Sequence, residues 1–187
     1  MLTNLKLSRD HAALLVIDVQ ERLLLAMPEE ERGPLTRATR TLVEGAKHLG
    51  VPVFATEQYP RGLGPTIPEI KSAFPQGVLA FDKLDFSCQA VGGLMAALES
   101  TGRKQVIACG METHVCVFQT VRDLSSLGFQ VFVPEDAVAS RTPANRRVGL
   151  SLMERAGAVG ASTEALLFDM LGRAGTGEFK AISALVK

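Results

Sequence analysis

Six short apolar runs without polar alternation constrain this chain most. They fall at residues 12–17, 51–56, 78–81, 105–108, 129–133 and 158–161, and the first reads AALLVI without a break. Such strands are buried on both faces, as in parallel sheets covered by crossover helices, whereas an antiparallel sheet with one wet face alternates apolar and polar residues. Helical periodicity fills the gaps. Residues 35–49 carry it up to Gly50, and Leu94, Met95 and Leu98 carry it towards Gly102 behind a capping Ser87. Val117, Phe118, Val121, Leu124 and Leu127 carry it to Gly128. Residues 142–156, opened by Pro143, then 163–171 and 178–186 complete the set, the last packing on the body or on another subunit. Strand and helix in alternation predict an α/β fold: a doubly wound, mainly parallel six-stranded sheet with helices on both faces, Rossmann-like in architecture. With 187 residues and 47% hydrophobic content, the chain suits a single domain over residues 1–187.

In an open parallel sheet the ligand crevice lies beyond the carboxyl ends of the strands. Three polar residues belong there. Asp18 directly follows the first run, Lys83 follows the third in FDKLDFS, and Cys116 follows the fourth in CGMETHVCV. A carboxylate beside a thiol can take its proton and later return it to a leaving group, while an ammonium stabilises both anions. Taken singly, Asp18 reads as well as a turn residue, Lys83 as a solvated lysine and Cys116 as a small buried hydrophobe. Their shared sheet edge favours a site. Cys116 is expected at or near a helix N-terminus, where unpaired N–H groups and the dipole favour the thiolate, so a lowered pKa and exposure are expected of it.

Composition narrows the partners. Twenty basic residues balance twenty acidic ones, which favours a small-molecule substrate, with no nucleic acid and no membrane as partner. Cys88, Cys109 and Cys116 are an odd number without CxxC spacing, arguing against a disulfide framework and for a reducing, cytoplasmic setting. Cys88 and Cys109 both read as structural, although a position in the first turn of a helix could also activate Cys88. The longest apolar run is too short to span a bilayer and lacks a signal peptide's flanks. His11, His48 and His114 offer no HxH, HxxH or HExxH pair for a metal, and His48 at a helix C-terminus needs no chemical role. Gly175-Thr176-Gly177 lacks the remainder of a dinucleotide fingerprint, so no cofactor is expected.

Three segments carry a family resemblance: LLVIDVQ (14–20), the lysine of FDKLDFS and CGMETHVCV (109–117). Over nearly its whole length the chain resembles the isochorismatase-like cysteine hydrolase superfamily, which includes nicotinamidases and N-carbamoylsarcosine amidohydrolases. The loop ATEQYPRGLGPTIPEI (55–70) and the end STEALLFDML (162–171) most resemble isochorismatase domain-containing proteins. The resemblance implies Asp18 as general acid and base, Lys83 as its charge partner and Cys116 as nucleophile. It also implies a cis peptide between Met111 and Glu112, with the backbone N–H groups of Glu112 and Cys116 as an oxyanion hole. Homo-oligomers are common in the family, and the apolar residues 179–186 offer contact surface. Metal-dependent nicotinamidases carry an aspartate and two histidines after the second strand, whereas residues 56–60 here read TEQYP, so no bound metal is expected.

Small-ligand sites are mostly apolar with a few aimed polar groups, which makes Gln20, Leu24, Tyr59, Phe86 and Phe118 candidate pocket walls, each equally readable as core. His114 either orients the turn before Cys116 or contacts substrate, and Glu112 either reaches across the site or meets a subunit interface. The Gly- and Pro-rich loop 59–68 is expected as a substrate-side lid. The expected function is hydrolysis of a small amide or related C–N bond through a thioester. The alternatives are an isochorismate-type vinyl-ether hydrolase, whose acid-catalysed chemistry needs no thiol, and a non-catalytic binding or scaffold protein with a vestigial triad.

Overall fold

The computed structural model describes residues 5–187. Its strands are β1 (Ala12–Ile17), β2 (Val53–Gln58), β3 (Ala80–Lys83), β4 (Gln105–Met111), β5 (Gln130–Pro134), β6 (Val138–Ala139) and β7 (Val159–Ala161). They form one sheet in the order β3-β2-β1-β4-β5-β7, with β6 beside the end of β4, and every pairing is parallel. The sheet therefore has seven strands rather than the expected six. The addition, β6, is two residues long, too short to leave a hydrophobic period.

Helices α1 (Glu21–Ala26), α2 (Glu29–Leu49), α3 (Pro60–Leu63), α4 (Pro68–Lys71), α5 (Gly92–Ser100), α6 (Phe118–Ser126), α7 (Pro143–Arg155), α8 (Thr163–Leu171) and α9 (Gly177–Leu185) complete the order. Pleating divides the strands between two cores. Leu14 and Val16 of β1 join Leu42 and Val43 of α2, Leu167 of α8 and Ile182 of α9 on one face. Ala13, Leu15 and Ile17 join Leu94 of α5, Val121 of α6 and Met153 of α7 on the other. Both faces are covered, which explains why the strands show no polar alternation.

Several boundaries differ from the periodicity. Helix α2 starts at Glu29, not 35, because three glutamates in its first turn suit the helix dipole and Pro34 inside it forfeits only one hydrogen bond. It stops at Gly50, whose φ of 68° lies in the left-handed region. Ser87 caps a short 3-10 turn, Cys88–Ala90, accepting from Gln89 N–H at 3.3 Å, and α5 begins separately at Gly92. The C-terminal helix spends its apolar side on its own chain: Ile182 is fully buried and the Phe179 and Phe168 rings lie 6.3 Å apart. Of the two packings expected for this stretch, the one on the body is thus present at Phe179 and Ile182. The loop after β2 is partly helical, holding α3 and α4, and Thr66 bridges back to Gln20.

Strands β1, β2 and β3 follow one another in one direction from the centre, and β4, β5 and β7 in the other. The chain reverses between β1 and β4, the switch point at which such sheets open a crevice beyond their carboxyl ends. Asp18 leaves β1 there, and the turn bearing Cys116 leaves β4.

Candidate active site

Asp18 leaves β1 in the left-handed region, with φ 54°, a conformation that aspartate tolerates better than most residues. Its N–H donates to the Thr56 carbonyl at 3.1 Å and its carbonyl accepts from Gln20 N–H at 2.8 Å, so the kink is pinned on both sides. The side chain is fully buried and fully engaged. Oδ2 accepts from Lys83 Nζ at 2.7 Å, Oδ1 accepts from Thr56 Oγ1 at 2.8 Å, and the Cys116 thiol lies near enough to act on the carboxyl group. The register Gln58↔Lys83 between β2 and β3 brings the lysine to the same edge. Besides Asp18, Nζ donates to Gln58 Oε1 at 2.6 Å and to the carbonyls of Phe86 and Asp85 at 3.1 and 3.3 Å.

Two glycines admit the third group. At Gly110, φ 123°, a Cβ would lie 1.9 Å from the Ile17 carbonyl oxygen, so β4 approaches β1 there as only glycine allows. The next peptide, Met111–Glu112, is cis. The chain then makes a wide, π-helical turn, Thr113–Val117, before α6 begins. At Gly149 of α7 a Cβ would come within 2.8 Å of the backbone of Thr113 and His114, so α7 clamps this turn. Glu112 Oε2 accepts from both the N–H and Nε of Arg141 at 3.0 Å, and His114 Nδ1 lies 3.0 Å from Ser140 Oγ.

The electrostatics correct one expectation. Cys116 lies in the wide turn that runs straight into α6, near a helix N-terminus as expected, but it is only 5% exposed, and its thiol is pushed up to about 12 by burial and by the Asp18 charge, with Lys83 opposing. Burial and a raised proton affinity both run against the exposed, low-pKa thiol expected of it. Burial also raises Asp18 above the ordinary carboxylate range, although Lys83, Thr56 and Cys116 all pull against it. Burial works against the Lys83 ammonium, but Asp18 and Cys116 outweigh it and Lys83 holds its proton more firmly than a free lysine. A carboxylate with raised proton affinity touching a thiol can receive the thiol's proton as the sulfur attacks, so the dipole of a helix is not needed to ionise it beforehand.

The structure thus brings Asp18, Lys83 and Cys116 together. The proposed pocket walls fare unevenly. Gln20 is occupied: Oε1 accepts from Gln58 N–H at 2.8 Å, and Nε2 donates to the carbonyls of Gln58 and Gly64 at 3.0 and 2.6 Å, so it braces the loop instead of facing a ligand. Leu24 packs on the core of the α2 side, across the sheet from the core that holds Cys116. Phe118 packs on the Cys116 side with the Arg122 guanidinium 5.6 Å from its ring centre. Tyr59 and Phe86 are about half exposed, and Tyr59, Arg61 and Leu84 border a cleft of about 330 Å³ next to Lys83. Larger concavities of about 580 and 740 Å³ lie away from the triad, beside α9 and beside β7.

Two neighbours, Thr56 and Gln58, have no role assigned from the sequence, and burial runs against the activation that a helix start offered Cys88. Thr56 and Gln58 touch Asp18 and Lys83, and Cys88 Sγ lies 3.7 Å from Thr56 Oγ1 with its thiol pushed up to about 11 by burial. Thr56 and Gln58 did leave a signal: two polar residues two apart, on one side of a strand that begins apolar, at its carboxyl end. Among the described residues no three His, Cys, Asp or Glu side chains are grouped to hold a metal, and no helix is long and apolar enough to cross a membrane.

Residues 12–165 match the isochorismatase domain. A secreted isochorismatase effector of Phytophthora sojae is 40% identical over 183 residues, 94% of this chain and 84% of that protein. Isochorismatase domain-containing protein 2 of Bos taurus is 40% identical over 147 residues, 78% of this chain and 70% of that one. Among solved structures, a MAR1 ribonuclease from Caenorhabditis elegans superposes with a TM-score of 0.91 at 33% identity, covering 97% of this chain and 92% of its own.

Proposed function

Because the chain belongs to the isochorismatase domain family, we propose that it is a cysteine-dependent hydrolase of a small amide or related C–N bond, working through a thioester on Cys116. One observation carries this reading: the buried Asp18 carboxyl, which Lys83 holds at 2.7 Å, lies beside the Cys116 thiol, and the two groups act on each other's proton affinity. As the sulfur attacks the substrate carbonyl, its proton passes to Asp18. The tetrahedral oxyanion is held by the backbone N–H groups of Glu112 and Cys116, and it collapses with cleavage of the C–N bond. The departing amine takes the proton from Asp18. Asp18, again a carboxylate, then deprotonates a water that attacks the thioester carbonyl, and the acid leaves as the sulfur recovers that proton. Lys83, with its hydrogens committed to Asp18, Gln58 and main-chain carbonyls, stays a fixed cation throughout.

Acid-catalysed vinyl-ether hydrolysis would leave the thiol beside Asp18 without a task. A small substrate suits the 5% exposure of Cys116, which a polynucleotide backbone would not reach. The nematode neighbour is nevertheless described as a ribonuclease, so RNA belongs in the substrate panel. The test is intact-protein mass spectrometry after incubation with small amides, carbamoyl compounds, aldehydes and RNA, comparing the wild type with Cys116→Ala. The expected result is an acyl adduct and turnover in the wild type alone. Turnover of any of these substrates, or cleavage of RNA, that survives Cys116→Ala refutes the reading.

A further inference from the structure

The Lys83 ammonium has three hydrogens and no acceptor of its own. Its two short bonds go to Asp18 Oδ2 at 2.7 Å and Gln58 Oε1 at 2.6 Å. Gln58 is 9% exposed, and its Nε2 donates to the Leu84 carbonyl at 2.7 Å. A lysine can only donate and a carbonyl can only accept, so the orientation of this amide is dictated by its two neighbours. Its backbone is fixed as well, since Gln20 bonds both the N–H and the carbonyl of Gln58. Gln58 therefore offers Lys83 a strong acceptor, rigidly placed, that carries no charge.

We propose that Gln58 is a positioning residue for the Asp18–Cys116 proton transfer: its neutral amide oxygen aims Lys83 at Asp18 and leaves the lysine's field undivided. The inference rests on the reading of Asp18 as the proton acceptor for Cys116. A carboxylate at this position would share the ammonium and weaken its pull on Asp18. An apolar side chain would remove one of the two short acceptors and leave the ammonium held, besides Asp18, only by the longer bonds to the Phe86 and Asp85 carbonyls. Either change raises the proton affinity of Asp18. The other titratable groups around the thiol lie outside Gln58's contacts: Cys88 beside Thr56, Glu112 tied to Arg141, and His114 tied to Ser140.

The experiment follows carbamidomethylation of Cys116 in the whole protein with iodoacetamide, read by peptide mass spectrometry between about pH 4 and 9, a span that covers ordinary carboxyl and thiol values. In this reaction the sulfur bonds to the methylene carbon, iodide leaves, and the thiol proton passes to Asp18. The wild-type rate should rise through a midpoint set by Asp18, and Asp18→Asn should lack that midpoint. Gln58→Glu, nearly isosteric, should move the midpoint up by about one pH unit, about a tenfold slower reaction on the acid limb. Gln58→Met should move it in the same direction by less, and it decides the matter if the glutamate variant does not fold. A purely structural glutamine would lower the melting temperature of both variants and leave the midpoint in place, which overturns the proposal. A wild type without an Asp18-dependent midpoint overturns the proton-acceptor reading itself and this inference with it; the wild type and Asp18→Asn alone reveal that case.

Discussion

Lys83→Met is the sharpest perturbation of the site. It keeps most of the aliphatic stem and removes the ammonium 2.7 Å from Asp18 Oδ2, while Thr56 still donates to Oδ1. A fully buried carboxylate stripped of its counter-ion does not stay charged but takes up a proton. The roughly three pH units between an unfolded aspartate pKa of about 3.9 and pH 7, at about 1.4 kcal/mol each, cap this cost at about 4 kcal/mol. That sits within the range of about 3–5 kcal/mol found when one member of a buried pair is deleted. In the variant the folded-state pKa of Asp18 stands far above its unfolded value. Its relative stability is therefore fully present below the unfolded pKa and is lost as pH rises towards the folded one. Because burial already raises Asp18 in the wild type, urea unfolding should show a deficit of at most about 4 kcal/mol at pH 7, shrinking by at most about 1.4 kcal/mol per pH unit on the way to pH 5. Asp18→Asn combined with Lys83→Met should remove the pH dependence of the deficit. A deficit of equal size at pH 5 and pH 7 would refute the idea that an unpaired Asp18 charge sets it.

Three further outcomes follow from the same geometry. The thiols of Cys88, Cys109 and Cys116 are pushed up to about 11, 12 and 12 by burial, so each favours the folded state below the unfolded thiol pKa of about 8.5 and loses that contribution above it. Stability should fall by about 1.4 kcal/mol per pH unit per thiol between about pH 9 and 11, and Cys109→Ala, remote from the site, should reduce the slope by about a third; an unchanged slope in calorimetry across that range counts against the argument. Gly110→Ala should cost more than about 4 kcal/mol or abolish folding, because its Cβ would sit 1.9 Å from a backbone oxygen, and a native circular dichroism spectrum and melting temperature would contradict it. Thr56→Val should cost about 1.5–3 kcal/mol in urea unfolding at pH 7 by removing the donor to Oδ1. A stability equal to wild type there would mean that the carboxylate does not depend on that hydroxyl.

The fold was legible because burial on both faces writes itself into every residue of a strand such as Ala12–Ile17, and glycines at 50 and 128 mark where helices stop. Strand β6 was not, since two residues carry no period. The start of α2 was hidden because Pro34 reads as a boundary, although its lost bond lies in a helix held by tertiary packing. At the candidate site, Asp18, Lys83 and Cys116 announced themselves by position after strands. Gln20 misled because a buried amide looks like a ligand group until its partners, here the backbone of Gln58 and Gly64, are known. The state of the Cys116 thiol was misjudged for a related reason. A local helix end is visible in sequence, whereas depth and the distant Asp18 charge, which outweigh it, belong to the assembled fold.

The left-handed backbone at Asp18 also governs how its side chain can be interrogated. Alanine at φ 54° carries a steric penalty of roughly 1–2 kcal/mol that has nothing to do with the carboxyl group, so an alanine scan here would report damage to the β1 exit and loss of the acid as one number. Asparagine visits that region readily and keeps the side chain's shape. The pair Asn and Ala at this one position therefore works as an internal calibration: what asparagine loses belongs to the charge and the proton, and the excess lost by alanine belongs to the bend in the chain.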